Sequence, residues 1–440
     1  MHKSVQEGET VNSNLRLVHF ISTNKPFIAL WLAMFIAIAG IAMVTPLMPV
    51  FAKEMGASGI WLGFAFSGFA FTQIPLMPVM GKLADKFGKK FFIWFGLLIF
   101  TMISIGYYWA PGFRELVLFR VLGGVGSAMV IPIAFSYIGE LSPRGHEGRY
   151  MGLFTISLIA GFGIGPMAGG VLFDSFGMDA TFVSMGILSL LGAAVAFIFL
   201  PGRKSSQRVA ASSGTTEFKE PSSSFRTMLG DTTVQGILTI QLVFHLFFGT
   251  LLAFIGIWMT TVLKTTVAQV GIAMSVRAII NGVFAYPFGW LADRMNRAVI
   301  ASVGMILMAI CTFSIPWLGS FAPLLGLFMV MGVFESMTIP SINAINVEKG
   351  RSMGMGSIMG VFNMAGSLGL VVGSMVGGVI ENSLGLVAVF RFTAGLGLVG
   401  VFIFNIFMIK SGRFPRNFRS VLQTGAQDLV FDESAAERDD

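Results

Sequence analysis

Charge is scarce in this chain. Asp, Glu, Lys and Arg make up 12% of its 440 residues, about half their share in soluble domains. A chain so poor in charge cannot cover a water-soluble surface. With 55% of its residues hydrophobic and a mean hydropathy of +0.80, it needs lipid as its solvent. Cysteine is scarcer still: Cys311 stands alone, so no disulfide can form within the chain. The four histidines, His2, His19, His146 and His245, show none of the spacings of a metal site, and neither metal nor cofactor is expected. Phosphate-cradling motifs are missing too, since Gly81-Lys82 lacks the upstream glycine of a nucleotide-binding loop. Gly350-Arg-Ser352-Met-Gly354 spells the hydrolase GlyXSerXGly pattern, but it precedes a helix with no strand before it. The chain is therefore not expected to be an enzyme, and an ion gradient rather than ATP is its natural energy source. The first 26 residues are polar and lack the apolar core of a secretory signal.

Long apolar runs are abundant instead. In lipid every backbone polar group must be paired within the protein, which leaves helices or a closed barrel. A barrel strand would alternate apolar and polar residues over about ten positions, whereas these runs are continuous and of helix length. Spans are expected at 27–50, 59–80, 90–110, 114–138, 149–172, 180–200, 234–262, 268–290, 298–318, 321–346, 353–380 and 386–410. The fold class is thus an all-α membrane protein of twelve transmembrane helices. The loops alternate in Lys and Arg. One set carries Lys82, Lys86, Lys89 and Lys90, then Arg144 and Arg149, Arg294 and Arg297, Lys349 and Arg351, and Lys410 and Arg413; the other has only Lys53, Arg114, Lys264 and Arg391. Both termini are expected on the cytoplasmic side of the cell membrane. The same bias accounts for the net charge of +7, so no nucleic-acid partner is expected. Five segments follow: a cytoplasmic N-terminal piece (1–26), a first six-helix bundle (27–200), a Ser-rich cytoplasmic linker (201–233), a second bundle (234–410) and a cytoplasmic tail (411–440) with an acidic end.

The two bundles repeat each other. Gly81-Lys-Leu-Ala-Asp85 recurs 208 residues on as Gly289-Trp-Leu-Ala-Asp293; Glu140 recurs as Glu348; and Gly161, Gly165, Gly169 and Gly170 recur as Gly369, Gly373, Gly377 and Gly378, all at that offset. Parallel halves related about the membrane normal, with the substrate near the midplane between them, are a transporter architecture.

With these features the sequence resembles the major facilitator superfamily over roughly residues 27 to 410, and within it the twelve-helix drug:proton antiporters of multidrug and tetracycline-type efflux. Gly81-Lys-Leu-Ala-Asp85-Lys86-Phe-Gly88-Lys89-Lys90 is similar to the superfamily's loop signature between helices 2 and 3. The resemblance implies a conformational latch there, with Asp85 facing the N-terminal end of a neighbouring helix, such as span 11, Gly81 allowing close approach, and Glu140 and Asp293 as its echoes. Gly161-Phe-Gly-Ile-Gly165-Pro166-Met-Ala-Gly169-Gly170 resembles the antiporter signature of helix 5. Its glycines lie four apart on one face, and Pro166 removes a backbone bond. Ser374 replaces the proline in the repeat copy. Leu116, Arg120, Gly124 and Gly126 resemble the helix-4 motif, in which a buried Arg is tied to proton coupling, although Gly123 stands where the family often has Gln. Pro46 and Pro49 are similar to the helix-1 pattern.

Ionisable groups at mid-membrane are functional candidates by default. Arg120, Arg277 and Glu335 qualify, and His245 is a fourth. At the repeat offset Arg277 and Glu335 match Phe69 and roughly Gly126, so duplication did not force them. Glu335 is the expected proton carrier, with Arg277 or Arg120 as partner. Burial disfavours an ionised carboxylate and a nearby guanidinium favours it, so a change in either would load or release a proton. A static Glu335–Arg277 pair holding helices 8 and 10 together fits the sequence equally well. Span 1 has no acidic residue, which argues against a strictly cation-selective pump. A cavity rich in Phe (44) and Met (28) suits amphiphiles, with Gln73, Gln241, Asn281, Asn343 and Asn363 as polar contacts. The sequence thus reads as a monomeric, proton-driven exporter of amphiphilic small molecules working by alternating access. An uptake symporter, a lipid or glycolipid flippase and a non-transporting sensor are the alternatives.

Overall fold

The computed structural model describes residues 25–142, 147–202 and 225–413. The N-terminal segment up to residue 24, Arg144, His146, most of the linker and the tail from residue 414 lie outside the described residues. Among the described residues twelve helices are long and apolar enough to cross a membrane: span 1 (Lys25–Glu54), 2 (Ile60–Phe87), 3 (Lys89–Tyr108), 4 (Phe113–Leu141), 5 (Tyr150–Phe176), 6 (Met178–Phe199), 7 (Thr232–Thr261), 8 (Val267–Arg294), 9 (Arg297–Trp317), 10 (Phe321–Gly350), 11 (Ile358–Leu384) and 12 (Leu386–Lys410). Span 1 breaks between Val44 and Met48, where Pro46 and Pro49 withhold backbone donors.

Polar side chains cap spans 7, 8 and 9. Asp231 accepts from the backbone N–H groups of Thr233 (2.8 Å) and Val234 (3.1 Å) ahead of span 7. Thr266 and Gln269 form a reciprocal capping box on span 8, and Asn296 caps span 9, each satisfying donors that a helix leaves open. Asp231 also pairs with Lys349 at 2.7 Å. Burial pushes its carboxyl up, but Lys349 and the two N–H groups outweigh that and leave it below the ordinary carboxylate range. A lowered folded pKa means that the clip's contribution is complete above the unfolded pKa and is lost as pH falls through the folded one.

The helices run further than hydropathy alone implied. The basic stretch 81–90, expected as a loop, is helical through Phe87. Apolar character ends near residue 80, but nothing in Lys-Leu-Ala-Asp-Lys-Phe opposes a helix once water solvates it. Gly88 alone turns the chain into span 3, at φ 103° and ψ 130°, a conformation that side chains disfavour.

Spans 1–6 pack together, as do spans 7–12, and two seams join the halves: span 5 on span 8, and span 2 on span 11. Within each half small residues set the spacing. A Cβ on Gly161, Gly165 or Gly169 would sit 2.9, 2.6 and 2.3 Å from span 1 atoms of Ile38, Ala39 and Met43. In the other half Gly369 and Gly373 press equally closely on the Leu242 and Leu246 carbonyls of span 7. Gly169→Ala forces a methyl group onto a backbone oxygen that cannot move aside, at a cost of about 1–3 kcal/mol. We expect a lower thermal unfolding midpoint for that variant and no loss for Gly289→Ala, whose Cβ would meet nothing within 4 Å. Equal midpoints would remove the close packing as the reason for Gly169.

Candidate functional site

The mid-membrane charges lie one guanidinium to each half. In the second half Arg277 (span 8) and Glu335 (span 10) form a buried ion pair, each 6% exposed. The guanidinium lies over the Phe248 ring of span 7 at 4.8 Å. Its Nε is buried with no hydrogen-bond partner. In the first half Arg120 (span 4), 4% exposed, donates from Nε and Nη2 to the Phe66 carbonyl of span 2 at 3.3 and 3.1 Å. Its guanidinium rests on the Phe69 ring at 5.0 Å. Arg277 and Phe69 are equivalent positions of the repeat, so the ring under one guanidinium stands where the other half places its own.

His245 Nδ1 lies 3.0 Å from the Gln241 carbonyl, one turn earlier on span 7. Gly366 of span 11 packs against both side chains. Gln73 and Gln241 are buried, Asn281 is half-buried, and Asn343 and Asn363 are exposed. The structure thus joins Glu335 to Arg277 and places Arg120 on backbone and aromatic partners.

The helix-5 motif has two jobs. Gly161, Gly165 and Gly169 bring span 5 onto span 1. Gly170 faces the other half, where its Cβ would lie 2.6 Å from the Val267 carbonyl of span 8, and Gly271 returns the contact, 2.1 Å from the Pro166 carbonyl. The second seam repeats this at the 208-residue offset. Gly378 meets the Gly59 carbonyl at 2.3 Å, and Gly63 meets the Ser374 carbonyl at 2.4 Å. Ser275 accepts from the Met167 N–H at 2.9 Å. Its counterpart Ser67 shares a 2.5 Å hydrogen bond with Ser374, and both serines are fully buried.

Carboxylates close the ends of these seams on the face away from the basic loops. Asp174, at the end of span 5, accepts from the Val267 and Ala268 N–H groups that open span 8, at 3.1 and 2.8 Å. Glu381, at the end of span 11, pairs with Lys53 at 2.8 Å and accepts from the Gly59 N–H ahead of span 2 at 3.4 Å. Each acid sits at the positive end of a helix from the opposite half. Toward the basic face the seams part: Cβ atoms on Gly81, Gly152, Gly289 and Gly360 would meet nothing within 4 Å. The molecule is closed at one face and open at the basic one.

At the basic face each half carries the same ionic clip. Lys89, 8% exposed, lies 2.7 Å from Glu140, 3.8 Å from Asp85 and 2.5 Å from the Ser136 hydroxyl. Its repeat partner Arg297 pairs with Asp293 and Glu348, both at 3.2 Å. Lys89 is thus the buried centre of a knot rather than a loop lysine, while Lys86 and Lys90 lie over the rings of Phe87 and Phe197. Asp85 does not meet a helix end here: its side chain is 71% exposed, and Gly81 faces open space. The residues expected to form a latch thus make no such contact where the basic face is open.

Sequence reasoning missed Asp174, Glu381 and the serines of the seams. The repeat offset contained a signal for some of them, since Gly63-X-X-X-Ser67 recurs as Gly271-X-X-X-Ser275 and Lys89 as Arg297. Asp174 and Glu381 had no such signal, because their repeat equivalents are Asn382 and Phe173.

A sequence model of the Major Facilitator Superfamily matches residues 30–254 and 237–428. An uncharacterised MFS-type transporter of Methanocaldococcus jannaschii is 25% identical over 378 residues, covering 85% of this chain and 96% of the relative. The quinolone resistance protein NorA of Staphylococcus aureus is 34% identical over 170 residues, 38% of this chain and 44% of NorA. That match therefore spans less than half of either protein. Among solved structures, a bacterial homologue of the human lysosomal transporter Spinster has a TM-score of 0.70 at 14% identity, covering 89% of this chain and 98% of that one, a likeness of fold.

Proposed function

This chain belongs to the Major Facilitator Superfamily, and from that premise we propose that it is a proton-coupled exporter of amphiphilic small molecules. It is a membrane transporter, not an enzyme. The buried Arg277–Glu335 pair carries the finer reading. An ion pair held in a low-dielectric interior is costly to form and worse to break, and Glu335 is the acid of that interior among the described residues. A proton delivered to Glu335 neutralises the carboxylate and releases Arg277, so loading changes the attraction between spans 8 and 10. Transport alternates between the form described, open toward the basic face, and one in which the two seams part and the basic face closes. Gly81, Asp85, Lys86, Gly88, Lys89 and Lys90, with Glu140 and Asp293, are the latch of that second form. The apolar, methionine-rich interior receives the substrate, with His245, Gln73, Gln241, Asn281, Asn343 and Asn363 as polar contacts. The protein works as a monomer in the cell membrane with both termini cytoplasmic. The partial likeness to NorA supports export over uptake.

The test is efflux of a fluorescent amphiphile from pump-deficient cells expressing the protein, with and without a protonophore. Protonophore-sensitive efflux, lost in Asp85→Asn, is expected. Efflux that persists after the proton gradient is collapsed would rule out proton coupling, and inward accumulation would reverse the direction.

A further inference from the structure

Within the spans, away from their ends, the described residues place two guanidinium groups and one carboxylate: Arg120, Arg277 and Glu335. Glu335 answers Arg277. Arg120 is answered by the Phe66 carbonyl, the Phe69 ring and the Tyr107 hydroxyl, none of which carries a negative charge. The interior is therefore one positive charge in excess.

One guanidinium nitrogen there also lacks an acceptor among the described residues. Arginine has five N–H donors and no acceptor. Nε and Nη2 of Arg120 share one carbonyl oxygen beside the Tyr107 hydroxyl, and the buried Nε of Arg277 has no partner. Buried polar groups are rarely left unmet, and a buried charge is normally paired.

Arg120 lies deep in the molecule, far from the basic face. Arg120 is the eighth residue of span 4, whose Phe113 end belongs to the closed face, so by the 1.5 Å rise per residue it lies about 10 Å in from that end. It stands on the closed side of the midplane, one residue along span 2's contact from the Ser67–Ser374 seal, since its acceptor is Phe66. Both guanidinium groups are backed by phenylalanine rings, which hold them flat and offer apolar surface beside the charge.

We infer that the transported amphiphile carries an anionic head, a carboxylate or phosphate, and that Arg120 is the group that recognises it. The inference rests on the transporter reading but not on direction or coupling. An anion supplies the missing charge, and a guanidinium takes a carboxylate or phosphate by paired hydrogen bonds. A quaternary ammonium brings a second uncompensated cation into the same interior and offers no acceptor.

Binding to the purified full-length chain in phosphatidylcholine nanodiscs tests this without any transport. Three probes share one naphthalene ring and spacer and end in a carboxylate, its methyl ester or a trimethylammonium group. The carboxylate is expected to bind saturably, about tenfold or more tighter than the ester, and the ammonium weakest. Arg120→Gln should erase the carboxylate's advantage while leaving the ester unchanged, and Arg120→Lys should restore part of it. Phosphatidylglycerol in the disc that competes with the carboxylate would identify the anion as a lipid; no competition would identify it as a soluble amphiphile. Ammonium binding as tight as carboxylate binding, or an undiminished carboxylate affinity in Arg120→Gln, overturns the proposal. Should Arg120→Gln fail to fold, the ranking on the unaltered chain tests the anionic head and Arg120→Lys, expected to weaken the carboxylate alone, tests the residue. Failure of the efflux assay above would leave this ranking untouched, so the two readings fall separately.

Discussion

A Ser67→Cys/Ser374→Cys chain, with Cys311 also replaced, is expected to lose transport completely on oxidation and to regain it on reduction. The two hydroxyl oxygens are 2.5 Å apart across the seam between spans 2 and 11, and both side chains are fully buried. Sulfur atoms at those positions start close to a disulfide's S–S length of about 2.05 Å. The bond would hold the seam shut where Gly63 and Gly378 already bring the backbones together. Alternating access requires the same seam to open, so a covalent tie removes one of the two states rather than shifting their balance. A noncovalent change of about 1–2 kcal/mol would only redistribute the populations. The measurement is substrate flux in oxidised and reduced membranes, with the single-cysteine chains as controls. Undiminished flux through a fully cross-linked chain would mean that this seam never opens and that access alternates elsewhere. Lys53 and Glu381 lie on the same seam but are partly exposed, with side chains 32% and 12% accessible. Their separation is therefore expected to tune the rate rather than abolish it, because water screens such a pair.

The Glu335→Gln variant carries the second large effect. It is expected to lose protonophore-sensitive transport to background while still reaching the membrane. Glutamine keeps the size and one acceptor of the side chain but cannot take up or release a proton. It leaves Arg277 with no opposing charge, and breaking a buried pair in this way costs roughly 3–5 kcal/mol. Lost transport in the single variant therefore has two explanations, which the double variant Arg277→Gln/Glu335→Gln separates. With both charges removed the destabilisation is relieved. If the pair only holds spans 8 and 10 together, the double variant recovers coupled transport along with its thermal stability. If Glu335 carries the proton, stability returns and coupling does not. The proton-carrier role falls if either variant transports normally and remains sensitive to the protonophore.

Much of the candidate site was legible because rarity is informative in this setting. An Arg or Glu in the middle of an apolar run costs enough that chance does not keep it there, which is why Arg120, Arg277 and Glu335 stood out. Which of them pair was not legible. Arg277 and Glu335 are 58 residues apart, and Arg120 was an equal candidate for Glu335 until the backbone of span 2 claimed it. The role of Lys89 was hidden for a related reason. Four lysines in one short stretch read as a topological signal, and only the packing of span 3 against span 4 buries one of them against Glu140 while the others stay at the surface. Asp85 shows a different limit. Its motif implies a contact with a helix end, whereas its side chain here is exposed and lies 3.8 Å from Lys89.

The sequence by itself determined the class and the layout. Lipid offers no partner for backbone polar groups, so long apolar runs can only be helices, and their number, order and internal repeat could be counted along the chain. Tertiary structure alone decided which face is shut and by what. The closing contacts join residues as distant as Ser67 and Ser374 or Lys53 and Glu381, 307 and 328 positions apart, and no local pattern encodes such a meeting. It arises where two helices from different halves cross at glycine, and the angle and depth of that crossing depend on every other helix packed behind them.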